Sequence, residues 1–240
     1  MIKLSVIVPT YNSAEKLMVT LKSLRKLCNQ QVEILVIDGA STDNTLQVCR
    51  QYSRYITYFV SEKDNGIYDA MNKGIQIANG EYLYFIGAGD EFLLCHNEVL
   101  GYLDGNADFI YGNCFFKIRK IIYNGKYTQW KIANNNICHQ AIFYNKNLFK
   151  IFGSYNTEYI YWADWWMNIQ CFADKNVSKK YIDVVVANYE EGGFSHNAKD
   201  VPFLKERDNY IYEHYDKSVA FLVFIRRKLA MFYRLAKKLV

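Results

Sequence analysis

The residues that could do chemistry are carboxylates at the ends of apolar runs. Asp38 closes Val32-Glu33-Ile34-Leu35-Val36-Ile37. Asp90 closes Gly87-Ala88-Gly89-Asp90, behind the run from Glu81 to Ile86. Asp64 and Asp69 flank Gly66, and Asn72 follows Asp69 at the three-residue spacing that shares a helix face. Asp164 stands inside Trp162-Ala163-Asp164-Trp165-Trp166. A carboxylate can start a helix, accept a charge-assisted hydrogen bond, hold a hard divalent cation or take a proton. Residue type alone leaves these uses open. A further polar cluster, Pro9-Thr10-Tyr11-Asn12, follows Ser5-Val6-Ile7-Val8 directly. A capped strand-to-helix turn would need only Asn12 or Ser13 there. His139-Gln140 precedes Ala141-Ile142-Phe143-Tyr144, where a lone histidine serves equally as a structural hydrogen-bonder.

The elements between these clusters alternate. Leu17, Leu21, Leu24 and Leu27 predict an amphipathic helix after the first strand. Thr42 to Tyr52 predicts a second, with Ser41 or Thr42 as its cap and Asp43 at its positive end. Tyr58-Phe59-Val60 reads as a third strand, Tyr68 to Ala78 as a third helix closed by Asn79-Gly80, and Glu81 to Ile86 as a fourth strand. Right-handed crossovers then gather all four strand ends on one edge, where open α/β sheets bind ligands. Residues 109–133 read as antiparallel strands with a turn near Asn124-Gly125. Strand and helix resume over 140–150 and 164–174, and a helical tail starts near Pro202. The fold class is α/β, with a doubly wound, mostly parallel sheet. Residues 1–105 and 106–200 form two halves of one domain, followed by a helical extension over 201–240.

Composition narrows the class. A chain of 240 residues that is 51% hydrophobic can bury one large core. Most tyrosines should pack with their hydroxyls in water. The six cysteines are scattered without CxxC pairs, which reads as reduced thiols rather than a zinc site. Residues 1–8 read as a strand, not a leader, and no run has the roughly 18 apolar residues of a membrane span. A net charge of +5 without a basic-aromatic motif gives no sign of nucleic-acid binding. In the tail, Arg226, Arg227, Arg234, Lys237 and Lys238 fall on one helical arc, opposite Phe221, Ile225, Leu229, Phe232, Leu235, Ala236 and Leu239. Such a helix suits an anionic membrane surface, or packs on the domain.

Taken in order, SVIVPTYN, VIDGASTDNT and KDNGIYDAMNKGI resemble the nucleotide-sugar domain of family 2 glycosyltransferases, over about Ile2 to Ala173. The resemblance implies a GT-A fold and inversion at the anomeric centre. It places Pro9, Thr10, Tyr11 and Asn12 around the nucleoside and Asp38 against its base. Asp64, Asp69 and Asn72 go to the ribose and diphosphate edge, with Lys73 as a candidate phosphate partner. Asp90, after Gly89, matches the last carboxylate of a motif that holds Mg²⁺ or Mn²⁺ at the diphosphate. The two earlier acidic positions of that motif are glycine here. His139 is implied near the donor sugar, and Ser195 or His196 at the phosphates. Asp164 is the implied base, and Trp165 a face for the acceptor. The expectation is a cytoplasmic enzyme, peripheral on the inner face of the membrane. It would move a sugar from a nucleotide diphosphate-sugar, UDP favoured, to a hydroxyl of a lipid-linked glycan in bacterial surface-polysaccharide assembly such as lipopolysaccharide or capsule. A sugar-1-phosphate nucleotidyltransferase would want a glycine-rich basic loop where Pro9-Thr10-Tyr11-Asn12 stands. A non-catalytic nucleotide-sugar-binding scaffold would account for the thinned acidic motif, but not for Asp90 and Asp164 together.

Overall fold

The computed structural model describes residues 1–123, 125–192 and 200–237. The first half runs β1 (Leu4–Thr10), α1 (Ala14–Leu24), β2 (Val32–Asp38), α2 (Thr45–Gln51), β3 (Tyr58–Ser61), α3 (Ile67–Ile77) and β4 (Tyr82–Phe85). Then come β5 (Glu91–Phe92), α4 (His96–Tyr102), β6 (Phe109–Phe116), β7 (Ile121–Tyr123), α5 (Gln129–Asn134), β8 (Ile142–Asn145) and α6 (Leu148–Ile151). The rest comprises α7 (Ala163–Ala173), β9 (Lys179–Tyr189), α8 (Val201–His214) and α9 (Lys217–Ala236).

One sheet has the order β3-β2-β1-β4-β8-β6-β9-β5, with β7 beside β6. It is parallel across β3-β2-β1-β4 and again between β6 and β9. Every residue of β1 and β2 is buried, as expected of strands covered on both faces. The chain leaves β1 toward β2 and β3, then returns to β4 on the other flank of β1. That reversal opens a crevice at the carboxyl ends of β1 and β4, between Thr10-Tyr11-Asn12 and Gly87-Ala88-Gly89-Asp90.

Several local expectations are corrected. Helix α2 begins at Thr45 rather than Thr42, because Ser41 is engaged with Asp38. Its first turn is held by Asp43, whose Oδ1 accepts from Thr45 N at 2.9 Å. The other oxygen of Asp43 accepts from Ala14 N at 3.1 Å, so one acid serves the starts of two helices. The hairpin after β6 turns at 117–120, not near Asn124-Gly125, of which Asn124 lies outside the described residues. Lys120 supplies a left-handed residue at φ +53°, and the Glu191 carboxylate accepts from Ile118 N and Arg119 N. Residues 129–134 are helical, capped by Thr128. The tyrosines do pack, but the hydroxyls of the deepest are bonded internally. Tyr82 donates to Ala107 O, Tyr84 to Gln140 O and Tyr144 to Asn168 Oδ1, since a hydroxyl at that depth needs a partner.

The sheet separates two apolar layers. Leu4, Val6 and Val8 of β1 pack with α1, α2 and α4, while Ile7 packs with α3, α5 and α7. The second layer extends into the tail: Phe203, Ile211, Tyr215, Ala220 and Val223 are buried with Trp165 and Ile169. Helix α8 and the first turns of α9 therefore buttress α7. The basic arc is split by this packing. Arg227 turns inward, pairs with Asp208 and donates to Ala133 O at 3.1 Å. Lys238 and Leu239, the last members of the predicted arc and its opposing side, lie outside the described residues.

Candidate active site

The sheet edge at the carboxyl ends of β1 and β2 has two residues with left-handed backbone. Asn12 has φ +43° and Ala40 φ +62°, conformations that non-glycine residues hold only when their surroundings enforce them. Here the two loops lock together. Asn12 N donates to Ser41 Oγ at 2.8 Å, and Asn12 Oδ1 accepts from Thr42 N at 2.8 Å. Asp38 is wholly buried; its Oδ1 accepts from Ser41 Oγ, and its Oδ2 from Ser41 N at 3.0 Å and Ser61 Oγ at 2.6 Å. It clamps the loop, and any base contact would have to use the remaining capacity of Oδ1. Gly39 lies between two groups that do reach outward. A Cβ there would collide with Asp64 Oδ2 and stand 3.3 Å from the Tyr11 ring. Tyr11 is 60% exposed, unlike the packed tyrosines. At the end of β1, Thr10 keeps a buried Oγ1 with no hydrogen-bond partner among the described residues.

Asp90 anchors the centre. The turn before it is held by Thr20 of α1, which is fully buried. Thr20 Oγ1 accepts from Gly89 N at 3.0 Å and lies 2.8 Å from the Asp90 carbonyl. Gly89, at φ +106°, makes the turn possible. The Asp90 carboxylate is 4% exposed; Oδ1 accepts from Glu190 N at 2.8 Å and Oδ2 from Gln140 Nε2 at 2.6 Å. Burial pushes its pKa up to about 6, against the pull of those two hydrogen bonds. Gln140 is itself oriented: the Cys138 thiol donates to Oε1 at 3.0 Å, which aims Nε2 at Asp90.

The described residues hold no group of three His, Cys, Asp or Glu side chains suited to a metal ion. A divalent ion arriving with a nucleotide needs less: one carboxylate, phosphate oxygens and water. Asp90 fits that. Each of its oxygens accepts one hydrogen bond and keeps acceptor capacity.

Asp164 lies in the first turn of α7 and is 5% exposed. Its Oδ1 is 2.7 Å from the Tyr68 hydroxyl, and its Oδ2 accepts from Asn136 Nδ2 at 2.7 Å. Asn136 Oδ1 accepts from Asn168 Nδ2 at 2.8 Å, and Asn168 Oδ1 accepts from Tyr144 at 2.8 Å. A buried hydrogen-bonded chain thus runs from Asp164 through Asn136 and Asn168 to Tyr144. His139 Nδ1 is 3.9 Å from Asp164 Oδ2. Burial lowers the imidazole pKa, opposed by Asp164, and Nε2 has no partner among the described residues.

Asp164, His139, Gln140, Gly87 and Tyr68 line one cleft of about 420 Å³, walled by Phe116, Tyr123, Ile160 and Trp162. Trp165 reaches the cleft but is not a free face: it is 8% exposed, donates Nε1–H to Ile132 O at 2.7 Å and packs on Phe203. Trp162, less buried, also lines the cleft. Asn72 is used elsewhere, exchanging hydrogen bonds with the Tyr155 backbone at 2.8 and 2.9 Å. Asp69 holds Asn65 N at 2.9 Å, and Lys73 pairs with Glu62 at 3.0 Å. Asp69 and Lys73 thus hold the loop before α3, Lys73 also donating to Lys63 O at 2.8 Å. Pro9 is buried in β1 opposite Ile37. Ser195 and His196 lie outside the described residues. Sequence reasoning missed Thr20, Tyr68 and Asn136, which act across 28 to 96 residues of chain. Only the His139-Gln140 pair carried a local signal.

The Glycosyl transferase family 2 model matches residues 5–167. The chain belongs to that family. This glycosyltransferase is 35% identical over 212 residues to the PGL/p-HBAD biosynthesis glycosyltransferases of Mycobacterium tuberculosis and Mycobacterium bovis, covering 84% of this chain and 82% of theirs. It is 28% identical over 161 residues to the poly(ribitol-phosphate) beta-N-acetylglucosaminyltransferase TarP of Staphylococcus aureus, covering 62% of this chain and 48% of TarP. In fold, it matches S. aureus TarS 1-349 in complex with UDP-GlcNAc at a TM-score of 0.70 and 19% identity, over 90% of this chain and 68% of that one. Against a longer TarS chain the TM-score is 0.76 at 18% identity, covering 93% of this chain and 42% of TarS. These likenesses establish the GT-A fold of the transferase.

Asp90 yields a pH prediction. Its carboxyl titrates near 3.8 unperturbed and at about 6 in the fold, so the native state binds more protons between those values. The stability it contributes is fully present below about pH 4 and is lost as pH rises through 6. In metal-free protein, stability of the wild type relative to Asp90→Asn should fall by about 3 kcal/mol over that window and then level. Denaturant midpoints across pH measure this; a flat difference would mean that Asp90 ionises as it does in water.

Proposed function

We propose that this glycosyltransferase moves a sugar from a nucleotide diphosphate-sugar, UDP-linked, to a hydroxyl of a glycan acceptor with inversion, using Asp164 as base. The observation that carries the reading is the His139-Gln140 pair. Gln140 grips Asp90, while His139 faces Asp164, so two consecutive residues of the cleft wall link Asp164, which lines the cleft, to Asp90, which touches that wall through Gln140. The donor base rests beside Tyr11 and Asp64 with Asp38 behind it, and the diphosphate lies over the Gly87–Asp90 turn. Thr10 Oγ1 and His139 Nε2, buried and without a hydrogen-bond partner among the described residues, are polar atoms that a ligand can satisfy. Mg²⁺ or Mn²⁺ held by Asp90 and the phosphates would neutralise charge on the leaving group.

The acceptor hydroxyl approaches Asp164 from the cleft. As its oxygen bonds the anomeric carbon, its proton passes to the carboxylate and the bond to the diphosphate breaks. UDP as donor is supported by the TarS complexes with UDP-GlcNAc and UDP, and a metal by the mannosyltransferase PcManGT from Pyrobaculum calidifontis in complex with GDP-Man and Mn²⁺, a fold match with TM-score 0.61 and 16% identity over 95% of this chain and 80% of that one. Asp164→Asn should lower kcat by about 10²–10⁴ while leaving the thermal shift caused by a UDP-sugar intact. Turnover within a few fold of wild type would remove Asp164 as the base.

The acceptor in this reading is lipid-linked, and α9 brings the enzyme to it at the inner face of a bacterial membrane. No described helix is long and apolar enough to cross a membrane. Helix α9 nevertheless exposes Phe221, Leu222, Phe224, Ile225 and Leu229, and residues 217–236 contain no acid. Apolar side chains flanked by Arg226 and Lys228 suit an anionic lipid surface. The wild type should float with anionic vesicles and not with zwitterionic ones. Phe221→Ser with Leu229→Ser should weaken that binding by roughly tenfold, without unfolding. Equal flotation of the variant, or none by the wild type, would count against α9 as the anchor.

A further inference from the structure

Asp164 must change protonation state during each transfer, and a buried carboxyl needs different partners before and after. As a carboxylate it requires donors. As a carboxylic acid it must itself donate to an acceptor. Asn136 serves the first state through Nδ2 but offers no acceptor on that side, because its Oδ1 faces Asn168.

Tyr68 meets both requirements. Its hydroxyl lies 2.7 Å from Asp164 Oδ1 and 2.7 Å from the carbonyl of Tyr161, a residue three positions before Asp164. The hydroxyl has one proton for two acceptors. With Asp164 ionised, that proton belongs on Oδ1. With Asp164 protonated there, the carboxyl O–H donates to the Tyr68 oxygen, and the Tyr68 O–H turns to the Tyr161 carbonyl.

We propose that Tyr68 is a positioning residue that adapts to both protonation states of the base by rotating its hydroxyl between Asp164 and the Tyr161 carbonyl. The inference rests on Asp164 being the base. The balance is simple: the acceptor O–H bond breaks, an Asp164 O–H bond forms, and the Tyr68 O–H bond stays intact throughout. Burial and the neighbouring Asp164 hold the Tyr68 phenol well above its ordinary pKa, so it acts by turning, not by ionising. Its ring is fixed, 7% exposed and packed on Tyr155 with centroids 5.3 Å apart. Among the described residues, the other groups facing Asp164 are His139, Asn136, Tyr144 and Tyr155. None of these contacts shows a single proton shared between Asp164 and a backbone carbonyl.

The test is the acid limb of the pH dependence of kcat, which reports the base in the bound enzyme. Tyr68→Phe keeps the ring, removes a donor to the ionised form, and should raise that limb by about one pH unit, lowering kcat about tenfold below it. Placing 3-fluorotyrosine at position 68 keeps the hydroxyl but makes it a stronger donor, and should move the limb the other way. A purely structural role would lower the thermal midpoint and leave the limb in place in both proteins. That result, with Asp164→Asn inactive, would overturn the role of Tyr68 alone. Wild-type turnover by Asp164→Asn would instead remove the base on which the inference rests.

Discussion

A buried carboxylate survives only where donors replace the water it has lost, and this fold is arranged around supplying donors to two of them. Asp90 takes a backbone N–H from Glu190, the residue after β9, and a side-chain N–H from Gln140. Asp164 takes a phenol from α3 and an amide from the segment after α5. The elements that meet at the cleft are therefore tied to the acids they present. Removing either acid would leave donors unpaired on two remote parts of the chain, and losing a donor would leave a charge short of partners.

The tail answers to the same constraint. Helix α7 carries Asp164 on its first turn, and its tryptophans need cover. Phe203 of α8 packs against Trp162, Trp165 and Trp166, and Tyr215 donates to Ile169 O at 3.2 Å. Arg227 then fastens α9 to Asp208 and to α5. Part of the basic arc thus fixes the helix that carries Asp164, while apolar side chains of α9 stay exposed.

The parallel half of the fold was legible because its strands are continuous apolar runs ending in polar clusters, a pattern that survives without any tertiary information. Asp90 and Asp164 were legible as carboxylates in unusual company. What stayed hidden was partnership. Asn72 shares a helix face with Asp69, yet its amide is bound to the Tyr155 backbone rather than turned to the cleft. Tyr68 and Asn136 are separated from Asp164 by 96 and 28 residues, and no local period links them. Ser41 has the residue type of a helix cap, but the buried Asp38 carboxylate takes both its hydroxyl and its backbone N–H. Trp165 has the residue type of a sugar platform, and sequence cannot tell which of three clustered tryptophans faces inward.

A crystal structure with UDP and Mn²⁺ tests this arrangement of the two acids. The uracil is expected beside Tyr11 and Asp64 and the diphosphate over the Gly87–Asp90 turn. The metal is expected on Asp90, with open cleft in front of Asp164. A nucleotide whose base or diphosphate occupies the space at Asp164, with Asp90 uncontacted, would contradict it.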